Sequence, residues 1–115
     1  MENQKERFWQ TPDMTVTKTV IVEGDLDQDL GKFGSVIELD ISEHDFEDVE
    51  ELVNKLQESC KMTLCIGMAK SDCEKAFEQA AISMFPEEKS RFDMRFEYKT
   101  QWKNVHFVAT RKAPN

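Results

Sequence analysis

Between Arg91 and Lys99, charged and apolar residues alternate without a break: Phe92, Met94, Phe96 and Tyr98 fall between Arg91, Asp93, Arg95, Glu97 and Lys99. A period of two marks a strand with one face in a core and the other in water, because successive side chains point to opposite faces. Val105, Phe107 and Ala109 repeat the pattern beyond Gln101-Trp102, so the region is expected to form a hairpin. Centring the turn on that dipeptide sets Tyr98 opposite Val105, Phe96 opposite Phe107, Met94 opposite Ala109 and His106 opposite Glu97, and buries one face of both strands. The dipeptide contains neither Gly nor Asn, which suits a loop longer than two residues.

The upstream segments supply the rest of a sheet and two helices. Thr15–Glu23 is almost entirely β-branched, as a pleated strand prefers, and Gly24 with the polar stretch to Gly34 closes it. In Ser35–Ile41, residues Ile37, Leu39 and Ile41 alternate against Val36, Glu38 and Asp40, a half-buried strand. Ser42–Cys60 changes to helical spacing, with Phe46, Val49, Leu52, Val53, Leu56 and Cys60 on one stripe. Met62–Ile66 is apolar except at Thr63 and reads as a central strand covered on both faces.

Ser71-Asp72-Cys73-Glu74 is a capping box that opens a second helix. That helix buries Cys73, Ala76, Phe77, Ala80, Ala81 and Met84 and stops before Pro86. The reading is an α+β two-layer sandwich in the order ββαβαββ, a mixed sheet with two helices on one face. Residues 1–14 are expected to form an N-terminal arm, 15–112 a single domain and 113–115 a tail. Thr15–Glu23 or the C-terminal strand is the edge through which a homodimer would pair.

Charge divides along the chain. Residues 1–85 carry 8 basic and 19 acidic side chains, whereas residues 86–115 carry 7 and 4. Glu38, Asp40, Glu43, Asp45, Glu47, Asp48, Glu50 and Glu51 follow one another with no Lys or Arg between them. Such density costs stability by repulsion unless water or a cationic partner compensates, and it repels nucleic acid and anionic membranes. Asp25, Asp27 and Asp29 superficially resemble a calcium loop, but Leu30 and Val36 stand where such a loop needs Gly and a bidentate Glu. The aspartates therefore read as a solvated loop that extends the acidic surface, with a weak cation site as the lesser reading.

Catalytic signals are sparse. Among the three cysteines, Cys60 and Cys73 fall on apolar stripes and Cys65 alternates with core residues, which suits reduced packing thiols. Cys73 is the partial exception, since a helix N-terminus lowers the pKa of an exposed thiol. No phosphate-binding loop, HExxH or GxSxG motif is present. No apolar run approaches the ~20 residues needed to span a bilayer, and the polar N-terminal residues do not resemble a signal peptide. An intracellular location, cytoplasmic or nuclear, is the default expectation.

Val20–Leu26 and Lys32–Leu39 resemble the first strand and the lead into the second strand of RNA-recognition motifs, over about an eighth of the chain. The β-α-β-α-β-β order of residues 35–112 is similar to that of Alba-type nucleic-acid-binding domains. Asp27–Gly31 is too short for the helix an RNA-recognition motif needs, and the acidic first helix departs from the Alba pattern.

Two functions follow as expectations. The favoured one is a non-enzymatic interaction module, without cofactor or metal, that meets a basic partner protein through Asp25, Asp27, Asp29, Glu43, Glu47, Asp48, Glu50 and Glu51. It would serve as an inhibitor, adaptor or regulatory subunit. The alternative is a nucleic-acid-binding module using Arg91, Arg95, Lys99, Trp102 and Lys103 of the hairpin.

Overall fold

In the computed structural model, which describes residues 7–28 and 30–113, six strands form one sheet in the order β1-β2-β5-β6-β3-β4. The strands are β1 (Arg7–Gln10), β2 (Val16–Val22), β3 (Val36–His44), β4 (Lys61–Cys65), β5 (Lys89–Tyr98) and β6 (Gln101–Arg111). Helix α1 spans Glu50–Lys55 and α2 spans Asp72–Ile82, with a single 3-10 turn at Glu58–Cys60. Every strand pair is antiparallel, which corrects the expectation of a mixed sheet. Connections that skip strands let β2 meet β5, and β3 meet β6, with opposite directions.

Alternation decides the faces. Phe92, Met94 and Phe96 of β5, Val105, Phe107 and Ala109 of β6, and Ile37, Leu39 and Ile41 of β3 all enter one core with Leu52, Cys73, Ala76, Phe77, Ala80 and Ala81 from the helices. Phe107 is the hub. Its ring stacks on Phe77 at 4.7 Å and on Phe92 at 5.1 Å, and meets Phe46 edge-on at 5.5 Å, geometries that the ring quadrupole favours.

The hairpin register differs from the sequence expectation. Tyr98 pairs with Gln101, Phe96 with Lys103, Phe92 with Phe107 and Asp93 with His106. The turn is the two residues Lys99 and Thr100, both at positive φ (51° and 66°), the primed-turn geometry that matches strand twist.

Four further differences concern the elements. β4 lies at the edge of the sheet rather than its centre, with Met62 and Leu64 buried and Thr63 and Cys65 exposed. β3 runs on to His44, so the first helix shrinks to Glu50–Lys55; Phe46 and Val49 reach the core from a turn, while Val53 is 43% exposed. Part of the expected arm forms β1, paired with β2. Consequently β2 and β6 are both internal, and the sheet edges are β1 and β4. The described residues of the 25–34 connection carry no helix, so the RNA-recognition-motif order does not apply.

Helix α2 follows its sequence signals closely. Ser71 Oγ accepts from the Glu74 N–H at 3.1 Å while the Glu74 carboxylate accepts from Ser71 N–H, the reciprocal capping box. Lys55 of α1 pairs with Glu74 at 2.9 Å, and Glu51 accepts from Ser71 Oγ at 2.5 Å. The short α1 is thereby tied to the start of α2.

Candidate interaction surfaces

The carboxylates singled out in the sequence fall into two groups. Asp25 sits in a turn, where it accepts from the Asp27 N–H at 3.0 Å and from Gln28 at 2.9 Å, while its own N–H donates to Pro86 O at 2.8 Å. Those bonds hold its pKa below the ordinary value, led by the Gln28 contact. Asp27 is exposed beside it, and Asp29 lies outside the described residues. Glu43–Glu51 occupies the other end of β3, where Asp45 is anchored to His106. Along β6, Thr110 (level with the start of β5) and His106 are four residues apart, about 13 Å at strand rise. The fold therefore does not bring Asp25 and Asp27 together with the second group.

Within that second group the carboxylates differ in what holds them. Asp45 accepts from the His106 N–H at 2.7 Å and from its ring at 2.8 Å, and Glu51 is occupied by Ser71. Glu47, Asp48 and Glu50 are exposed at the approach to α1 and Glu43 on the exposed face of β3. Among the described residues none of these four carboxylates has an ion-pair partner. Val53 is exposed one turn after Glu50, on the same helix face.

The basic hairpin residues are also divided. Arg91 and Arg95 alternate with Asp93 and Glu97 along the exposed side of β5. The Arg95 guanidinium lies over the exposed Trp102 ring at 4.6 Å, a cation–π contact. Lys103 pairs with Phe96 and so shares the buried set's side, while Lys99 stands in the turn over Tyr98 at 5.3 Å. The four cations and Trp102 do not form one basic face.

His106, expected to face Glu97, instead sits between two carboxylates, with Nδ1 2.8 Å from Asp45 and Nε2 3.1 Å from Asp93. The bond to Asp45 holds its pKa above the ordinary value; partial burial opposes this and the Asp93 charge adds to it. Cys73 is buried, and its thiol is pushed up to about 12 by burial and then by the Glu51 and Glu74 charges. A thiol so shifted is protonated at neutral pH. Cys60 and Cys65, expected as packing thiols, are exposed. Among the described residues no three His, Cys, Asp or Glu side chains converge as a metal site, and no helix is long and apolar enough to cross a membrane.

Two features have no simple signal in the sequence. Glu78 Oε2 accepts from three successive backbone N–H groups, those of Gly67, Met68 and Ala69, at 2.9–3.1 Å; the connection after β4 is folded around one carboxylate. A cleft of about 480 Å³ lies between the Thr11–Thr15 turn, the first two turns of α2 and the end of β5. Asp72, Lys75, Ala76 and Gln79 line one wall; Arg95, Phe96, Glu97 and Trp102 line the other. Trp102 near the start of β6 and Pro12 in the irregular segment are the local hints of it.

No protein-family model and no curated protein matches the chain. Its fold is similar to that of a solved structure, residues 1–211 of CG17282, with a TM-score of 0.64 at 15% sequence identity. The match covers 93% of this chain and 52% of the other, so the chain spans about half the length of that relative. At this identity the likeness concerns the fold alone.

Proposed function

We propose that the chain is a non-enzymatic interaction module, an inhibitor, adaptor or regulatory subunit, that docks a basic surface of an intracellular partner protein through Glu43, Glu47, Asp48 and Glu50. We read its architecture as two-layered, with both helices on one face of the sheet. The observation that carries the reading is how the carboxylates are used. Asp45, Glu51, Glu74, Glu78 and Glu88 are each satisfied by internal donors. Glu43, Glu47, Asp48 and Glu50, within one short stretch, have no cation among the described residues. Concentrated uncompensated charge of one sign is relieved by a partner of the other sign and speeds its approach. Val53 supplies an apolar contact beside it.

A second reading, a nucleic-acid contact, draws on the exposed Arg95–Trp102 stack, the kind of pair on which a base can rest. Asp93 and Glu97 interleave with its cations and weaken any phosphate track.

A pull-down split into nuclease-treated and untreated halves tests both readings. The proposal expects a stoichiometric, nuclease-resistant protein partner that is lost in the triple variant Glu47→Gln, Asp48→Asn, Glu50→Gln. Association that disappears with nuclease, falls steeply with salt and is lost in Arg91→Gln, Arg95→Gln overturns it in favour of nucleic acid.

A further inference from the structure

Strand β5 outruns β2. Val16 pairs with Met94, and the Arg95 N–H donates to Thr15 O at 2.7 Å. There the neighbouring strand gives way to the Thr11–Thr15 turn. β6 continues beside β5 as far as the Tyr98–Gln101 pair, so among the described residues the last residues of β5 have a strand on one side only. In an antiparallel ladder both main-chain groups of a residue point to the same side, and the side switches at the next residue. The Arg95 N–H points away from β6, toward Thr15; by the same alternation the N–H and C=O of Glu97, two residues on, face away from β6, and Glu97 lines the 480 Å³ cleft on that side. The Thr15 N–H, which would otherwise reach back to β5, is held by Asp13 Oδ1 at 3.1 Å.

We propose that this cleft takes an extended segment of a partner protein as a short added strand opposite Glu97, with an apolar–basic–apolar pattern. Free main-chain donors and acceptors on a strand edge select an extended chain, because that conformation alone presents complementary groups at the same spacing. The register then dictates the side chains. A residue opposite Glu97 shares its face, where the Glu97 carboxylate is exposed and its cross-strand neighbour is Trp102; a Lys or Arg fits there. The residues before and after it point to the other side, toward Phe96 and Ala76, and are apolar. Arg95, the nearest like charge on that face, is drawn over Trp102. The cleft volume lies within the range of ordinary binding pockets. This site is separate from the acidic stretch of residues 43–50 and does not depend on it.

The test uses the full chain, uniformly labelled with nitrogen-15, and the acetylated, amidated peptide Ser-Val-Lys-Val-Ser. Four controls accompany it: the same peptide N-methylated at the lysine, the peptide with glutamate for lysine, and the variants Glu97→Lys and Gln79→Trp. The proposal expects saturable shifts at the Glu97 and Ala76 amides and the Trp102 indole, with a loss of tenfold or more on N-methylation. Glu97→Lys should reverse the lysine-over-glutamate preference by about fivefold, the upper end of a cross-strand ion pair. Gln79→Trp, which fills the cleft from an exposed position, should weaken both peptides. Three results overturn it: no saturable shift at Glu97 with millimolar peptide, equal binding of the N-methylated peptide, or shifts confined to residues 43–50. The last result would leave the acidic surface standing without the cleft.

Discussion

The Lys18 ammonium lies 2.8 Å from the Glu88 carboxylate with the two side chains only 6% and 4% exposed. Lys18 also donates to Ser83 O at 2.7 Å and faces the Trp9 ring at 5.7 Å, while Glu88 accepts from Ser90 Oγ and from the Phe85 N–H. The pair ties β2 to the segment that leads from α2 into β5. Burial of two ions is costly, and removing one partner strands the other. Lys18→Met and Glu88→Gln should each destabilise the fold by about 3–5 kcal/mol. The double variant Lys18→Met, Glu88→Leu should cost clearly less than the sum in urea denaturation. Additive losses would show that the two residues act independently.

His106 sets a pH dependence from its position between Asp45 and Asp93. Its folded pKa is raised above 6.5, first by the Asp45 hydrogen bond, so its contribution to stability is complete below pH 6.5 and is lost as pH rises through the folded value. Asp45 is shifted the other way: burial works to raise it, but the bonds from His106 outweigh that and hold it below 3.8. Its contribution is present above pH 3.8 and disappears as pH falls through the lower folded value. Stability from this contact is therefore greatest between those limits. Both groups are about half exposed, so solvent keeps the effect modest. Denaturation across pH for the parent and His106→Gln should show the difference between them shrinking above pH 6.5, and an unchanged difference would contradict the ion pair.

Thiol accessibility separates the three cysteines. Cys60 and Cys65 are exposed, whereas Cys73 is buried with its pKa near 12. Labelling of the native protein at neutral pH should modify two thiols and spare Cys73 until denaturant is added. Rapid native modification of Cys73, located by mass spectrometry, would refute its protonated, packed state.

The Lys99-Thr100 turn stores backbone strain. Both residues have positive φ, which is unfavourable for a β-branched side chain. Replacing the pair by Asn-Gly should stabilise the protein by about 1 kcal/mol or more, read as a higher denaturation midpoint with unchanged slope. No gain would mean that the turn relaxes in solution to another geometry.

Period-two patterning identifies faces, and on that level β5 and β6 were legible: Phe92, Met94, Phe96, Val105, Phe107 and Ala109 are all buried. It does not identify neighbours. Moving from Phe96 opposite Phe107 to Phe92 opposite Phe107 slides the strands by four residues and changes no face. The turn decides the register, and no Gly or Asn announces it. The capping box at Ser71 is local chemistry and forms as the sequence implied. The stripe from Phe46 to Leu56 misled because a turn delivers Phe46 and Val49 to the core as effectively as a helix does. For the candidate surfaces, charge runs showed where carboxylates concentrate but not that Asp45 and Glu51 are taken up internally. The cleft beside Glu97 arises from unequal strand lengths, which no local pattern encodes.

The position of the β5–β6 hairpin at the centre of the sheet bears on how the chain is made. β2 and β3 border that hairpin on either side, yet both are synthesised long before residues 89–111 appear. Until the ribosome releases those residues, β2 has only β1 and β3 only β4 as a neighbour, and pairing with the hairpin at such sequence distance is slow. The apolar faces of the N-terminal strands must therefore wait, exposed to chaperones or to misassociation, for the hairpin that completes the sheet.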